Sequence, residues 1–182
     1  MKYQLITPTD PKHIHFVDEF QKDVKKQLRG KDTLSQQWAT PFTREAFEYL
    51  REQKSLHIAT SDDPAHAVLG FGVAFSRYLI NLSSSTQELV DAVCKSVGDK
   101  YPLFIHTTLA LGYQQNDVFD SILRRCMRQA FRKKYYFSTV VLLEQSNPYL
   151  RGHLEHLKFS WEDSFFLDDP SKSTNVFVRK TT

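Results

Sequence analysis

Residues 109–123 read LALGYQQNDVFDSIL, an apolar strand that gives way to a polar loop and then a helix. A helix start offers unpaired backbone N–H groups and the positive end of the helix dipole, so such a turn takes anions. Asn116 can cap the helix and Asp117 complements its dipole, which gives both residues a purely structural role as well. Against an anion, Asp117 competes for the same amides, and Phe119 blocks close approach unless it turns into the core. Two other side chains here can move protons. His106 lies on the strand before the loop, and Glu144 lies near the end of a later apolar run. Each is either a base or a packed, satisfied side chain. His153 and His156 stand at i, i+3, a spacing that can hold a metal. No cysteine or carboxylate pattern completes their ligand set, so no metal site is expected.

The elements that must position these residues follow from periodicity. Asp10 and Pro11 open a helix through about residue 28, with a stripe of Ile14, Phe16, Val17, Phe20 and Val24. Thr43 caps a second helix whose inner face is Ala46, Phe47 and Leu50. SLHIATSDD and AVLGFGVAFSRYLI read as strands, and Gly98 closes a helix over about 85–97. LFIHTTLAL is a strand. In the helix from Asp117, the residues Phe119, Ile122, Leu123, Cys126, Met127 and Ala130 form a core-facing stripe, with Arg124, Arg125, Arg128 and Arg132 largely off it. FSTVVLLEQ is apolar throughout, as a buried central strand should be. A short helix from Asn147 and two further strands complete a β-α-α-β-β-α-β-α-β-α-β-β order. The fold class is α/β with a mixed sheet, in one domain over residues 1–182. Gly112 and the polar residues after it place the end of regular strand pairing at Leu109–Tyr113.

Composition narrows the partners. The formal net charge of +3 is too small to imply nucleic acid, and the basic helix has no aromatic stacking platform beside it. There is no run of about 18 apolar residues, so no membrane span is expected, and there is no apolar run of signal-peptide length. Cys94 and Cys126 lack CxxC partners and are expected to be reduced core residues. The expected location is the cytoplasm.

The order of elements and two motifs resemble the GCN5-related N-acetyltransferase (GNAT) superfamily. Its central signature runs roughly V-x-P-x-Y-[QR]-x-x-G-x-[GA]-x-x-L-[LM]. Leu109 takes the Val position, Tyr113 and Gln114 match, and Ile122 and Leu123 match the Leu pair. Leu111 replaces Pro, Asp117 the first Gly, and Phe119 the second Gly or Ala. A second family stretch, roughly N-x-x-A-x-x-L-Y-x-x-x-G-F, is similar to NPYLRGHLEHLKF. Asn147 and Phe159 match, while Leu154 takes the Tyr position and Lys158 the Gly position. The helix over about 85–97 sits where the family usually has a short turn.

The resemblance implies an acyl-CoA acyltransferase fold with splayed central strands, in which acetyl-CoA lies between the fourth and fifth. The pantetheine arm would pair with backbone from Leu109 to Leu111. Amides of Gln114, Gln115, Asn116, Asp117, Val118 and Phe119 would hold the pyrophosphate, and Asn147 is counted with these cofactor-binding residues. A small-molecule or peptide amine would attack the thioester. A tyrosine often protonates the leaving thiolate in the family, and Leu154 cannot. In family register Leu103, Ile105 and Thr107 would face substrate, with His106 on the opposite side of the strand. Trp38 and Phe42 have the placement of acceptor-pocket residues, and the alternative, favoured for Trp38, is that it simply anchors its loop on the core. The alternative that Asp117, Phe119 and Leu154 imply is a non-catalytic acyl-CoA-binding or protein-interaction module on the same fold.

Overall fold

A computed structural model of the chain describes residues 3–28, 42–62, 68–76, 84–99, 101–109, 117–132, 138–144, 148–166 and 173–180. Their elements are β1 (Tyr3–Ile6), α1 (Lys12–Leu28), α2 (Arg44–Glu52), β2 (Leu56–Ser61), β3 (Val68–Phe75), α3 (Ser84–Val97), β4 (Leu103–Leu109), α4 (Asp117–Arg132), β5 (Ser138–Glu144), α5 (Pro148–His156), β6 (Ser160–Phe166) and β7 (Ser173–Lys180). The order is the one that periodicity predicts. The strands form one seven-stranded sheet, β1-β2-β3-β4-β5-β7-β6. Each neighbouring pair is antiparallel except β4 and β5. A parallel pair needs a crossover, and α4 supplies it.

Local chemistry sets the helix ends. Asp10 caps α1: its Oδ1 accepts from the Lys12 amide at 2.9 Å, and its carbonyl accepts from the His13 amide at 3.1 Å. Thr43 caps α2, with Oγ1 accepting from the Ala46 amide at 3.2 Å. Gly98, at φ +68°, ends α3. Two helices end on left-handed lysines where glycine is the usual choice. Lys54 (φ 55°) follows α2 and Lys158 (φ 68°) follows α5. After α5 the Phe159 amide donates to the Leu154 carbonyl and the Lys158 amide to the Glu155 carbonyl, both at 3.0 Å. This is the paired closure that a left-handed residue makes possible, with Leu154 and Phe159 both in the core beneath it. Lys158 is also the residue aligned with a family glycine, and it adopts the left-handed conformation that glycine most readily takes.

The sheet separates two apolar layers. On the first face, α1, α2 and α3 bury Ile14, Val17, Phe47, Leu50, Val90 and Val93 against Phe71, Val73, Phe75 and Phe104. On the second, α4 and α5 bury Val118, Phe119, Ile122, Cys126 and Leu154 against Leu69, Leu103, Ile105 and Phe177. Both cysteines are buried and free. The expected α1 stripe needs one correction: Phe16 is 53% exposed. It stands about 200° round the helix from Ile14. Gln21, on the face of Ile14, Val17 and Val24, is buried instead.

Two substitutions test these constraints. A Cβ on Gly72 would lie 2.2 Å from Ile122 Cγ2 and 3.1 Å from Cys126 Sγ. Gly72→Ala therefore lifts α4 from the sheet and is expected to cost about 1–3 kcal/mol in denaturant unfolding. Lys158→Gly relieves a left-handed lysine and is expected to stabilise by about 0.5–1 kcal/mol, raising Tm by a few degrees. An unchanged or lower Tm in that variant would contradict the cap assignment.

Candidate active site

The site starts from an interruption in hydrogen bonding. β4 and β5 pair at Leu103↔Thr139, Phe104↔Val140 and Ile105↔Val141, and no pair joins them beyond. Yet β4 runs on to Leu109 and β5 to Glu144. Their outer edges stay paired over the same length, β4 with β3 as far as Gly70↔Leu109 and β5 with β7 as far as Glu144↔Thr174. The two strands therefore part like a fork from His106 onward. Backbone groups along inner edges need partners, and an extended ligand arm can provide them. The parting begins three residues before Leu109, where the Gly112 break was expected to end the pairing. β3 and β7 hold the two strands on their outer sides through the parting, and a break in β4's sequence carries no trace of those partners.

α4 starts at Asp117, eight residues after β4 ends at Leu109, on the second face of the sheet. The first-turn amides of any helix lack intrahelical acceptors. Asp117 is exposed there, while Val118 and Phe119 are 2% and 1% exposed. Phe119 thus points into the core as the stripe requires, leaving its backbone rather than its ring at the helix start. Arg124, Arg125 and Arg128 are exposed. Arg124 Nε donates to Asp120 Oδ2 at 2.6 Å, which holds the second acid of the first turn along the helix. Tyr3 ties this turn to β1: its hydroxyl donates to the Asp117 carbonyl at 3.2 Å and lies 2.7 Å from Ser121 Oγ. Nothing in periodicity pointed to Tyr3, because the contact spans the sheet from its edge strand. Leu109 is buried, its Cδ2 only 2.6 Å from where a Gly70 Cβ would stand. Leu111, Gln114, Gln115, Asn116 and Asn147 lie outside the described residues, as do Trp38 and the Glu144 side chain. The Glu144 backbone is the last of β5.

The faces of β4 divide between the two layers. Leu103, Ile105 and Leu109 belong to the second-face cluster under α4, and Thr107 Cγ2 is 3.5 Å from a Cβ built on Gly72. Gly72 lets α4 pack on that face, where Thr107 stays half-buried. Phe104, His106 and Thr108 occupy the first face. There the His106 ring lies 5.4 Å from Phe42 and 6.3 Å from Phe71, centroid to centroid. Its Nε2 is 3.0 Å from Thr108 Oγ1. Burial pushes the imidazole pKa down to about 4, so the ring is neutral near pH 7. Phe42 is itself fixed by Gln21, whose Oε1 accepts from the Phe42 amide at 3.1 Å and whose Nε2 donates to its carbonyl at 3.3 Å. A glutamine on the buried face of α1 was the available signal. Its partner, 21 residues on, was not.

Other candidates take structural places. Leu154, aligned with the family tyrosine, is fully buried in the second-face cluster. His153 sets its ring edge to face with Phe119 at 6.5 Å. Among the described residues, no group of three or more His, Cys, Asp or Glu gathers in a metal-holding arrangement. No described helix is long and apolar enough to cross a membrane.

No protein-family model matches the sequence, and no curated protein matches it. Solved structures do. A GNAT-family acetyltransferase from Streptococcus pneumoniae superposes with a TM-score of 0.67 at 9% identity, over 99% of this chain and 100% of that one. The yncA protein of Salmonella typhimurium, solved with its cofactor acetyl-CoA, gives 0.62 at 10% identity over 99% and 94%. An agmatine N-acetyltransferase gives 0.67 at 12% identity over all of both chains. The chain has the GNAT acetyltransferase fold, including the mixed sheet and its splayed centre.

The neutral histidine predicts a pH effect. Its folded pKa, about 4, lies below the ordinary 6.5. Between those values the unfolded chain binds a proton that the folded one does not, so stability falls as pH drops through the window. Denaturant midpoints should decline from pH 6.5 toward 4, and His106→Gln should decline less steeply. Parallel profiles for the two proteins would show that His106 is not buried as described.

Proposed function

We propose that the protein is an acetyl-CoA-dependent N-acetyltransferase acting on a small-molecule or peptide amine. One observation carries this: β4 and β5 part at His106 while both remain bonded on their outer edges. The fork suits an extended pantetheine arm, with inner-edge backbone of 106–109 free of β5. The helix start suits a diphosphate, through the amides of Asp117, Val118 and Phe119 and of Gln114, Gln115 and Asn116 before them. Leu109, Leu111 and Asn147 complete the proposed cofactor-binding set. The GNAT fold of the neighbours and the acetyl-CoA carried by one of them support the same assignment.

Acetyl transfer needs an unprotonated amine, an aligned approach to the thioester and a route for the displaced proton. His106 is the proposed proton acceptor. It stands at the vertex of the fork on the first face, held by Phe42, and is neutral at working pH. Glu144 is the second candidate, across the fork at the end of β5. The agmatine enzyme among the structural neighbours makes agmatine a first probe for the acceptor. The domain is proposed to span residues 1–182 and to work in the cytoplasm, where the buried thiols of Cys94 and Cys126 remain reduced.

Calorimetric titration with acetyl-CoA tests the reading directly, followed by coupled turnover assays with agmatine and short peptides. Saturable binding is expected. Binding without turnover on any amine would favour the non-catalytic alternative, and no binding would overturn both. The exposed Asp117 carboxylate opposes the diphosphate at the helix start. Asp117→Gly should therefore tighten acetyl-CoA several-fold at low ionic strength, and the gain should shrink as salt is added. Equal or weaker binding would show that Asp117 points away from the ligand.

A further inference from the structure

His106 does not meet the fork alone. Thr108 is the next residue on the same face of β4, further out along the stretch that β5 has left. Its Oγ1 lies 3.0 Å from His106 Nε2. Phe42 and Phe71 flank the ring, so the imidazole communicates through its edge, and its Nε2 edge is turned to Thr108. A neutral imidazole has one accepting nitrogen. A hydroxyl can donate to that nitrogen while its own lone pairs accept from another group. We propose that Thr108 is the residue that touches the acceptor amine, and that it relays protons between that amine, His106 and the departing thiolate. This rests on the acetyl transfer proposed above.

The steps balance. The amine nitrogen attacks the thioester carbon and a C–N bond forms. An N–H proton passes to Thr108 Oγ1 while the hydroxyl's own proton passes to His106 Nε2, which becomes imidazolium. The C–S bond then breaks and its electron pair stays on sulfur. The proton returns from Nε2 through Thr108 to the thiolate. Amine and thioester have become amide and thiol, and both side chains end as they began. Burial in the aromatic setting makes imidazolium costly, which suits a proton held for one collapse step and then released. The return path also supplies the acid that the buried Leu154 cannot. Thr108 is partly buried, which limits competition from solvent protons.

Two variants and one spectroscopic measurement test the relay. Thr108→Val keeps the branched shape and removes the hydroxyl, and Thr108→Ser keeps the hydroxyl. Acetyl-CoA affinity should be unchanged in both, since neither alters the strand backbone. With a free amine that the wild type acetylates, kcat should fall about 100-fold in the valine variant with KM nearly constant, and serine should restore most of it. Independently of any acceptor, nitrogen-15 spectra of histidine-labelled full-length protein should show His106 Nε2 unprotonated in the wild type and a mixed tautomer in Thr108→Val. Protonated Nε2 in the wild type, or wild-type kcat in the valine variant, would overturn the relay while leaving acetyl transfer standing. Failure of the wild type to bind acetyl-CoA would overturn the acetyl transfer itself and the relay with it.

Discussion

One constraint organises the molecule: β4 and β5 must stay in one sheet and yet separate. Three residue pairs hold them together, and beyond these each strand is kept straight by its outer neighbour. β3 grips β4 through Leu109, and β7 grips β5 through Glu144. Without those outer ladders the inner edges would collapse onto each other and close the gap. The long β5–β7 register is thus as much a part of the site as any residue inside it.

The sheet then divides labour between its faces. On the second face, Gly72 lets Ile122 and Cys126 come within contact of the strand, which fixes where α4 begins. Tyr3 fastens the same first turn from the sheet edge. On the first face, Gln21 secures Phe42, and Phe42 and Phe71 hold the His106 ring. The two arrangements meet at β3 and β4, whose successive side chains alternate between them. A single strand therefore carries packing for one layer and proton-accepting groups for the other. The proposed chemistry depends on that alternation, since a one-residue slip would exchange the two sets.

Much of this was legible from local signals. Asp10, Thr43 and Gly98 marked helix ends correctly because capping is a property of neighbouring residues. The stripe from Phe119 to Met127 fixed the orientation of α4, and the apolar run at 138–144 identified a central strand. What escaped were properties set by distant partners. Where β4 leaves β5 depends on β7, which begins about sixty residues beyond β4's own break at Gly112. The packing of α4 on the second face of β4 depends on a close helix approach allowed by Gly72. Gln21 interrupted an otherwise apolar stripe, and only Phe42 explains it. Lys54 and Lys158 adopt a glycine conformation without being glycine, so composition hid two sharp helix ends. The resemblance places Lys158 at a glycine position, and its backbone is left-handed there.

Sheets ordinarily protect their centre best and fray at their rims. The fork inverts that order. Inner-edge amides of residues 107–109 turn away from β3 toward the gap, in the middle of seven strands and beyond the end of the β4–β5 ladder. No β4–β5 pairing has to open for them to exchange, whereas the flanking β3–β4 and β5–β7 ladders must open first. In isotope labelling, the least protected strand amides should therefore map to the heart of the sheet. An arm lying in the gap would silence them in one step, so the centre of the fold doubles as its own built-in reporter of occupancy.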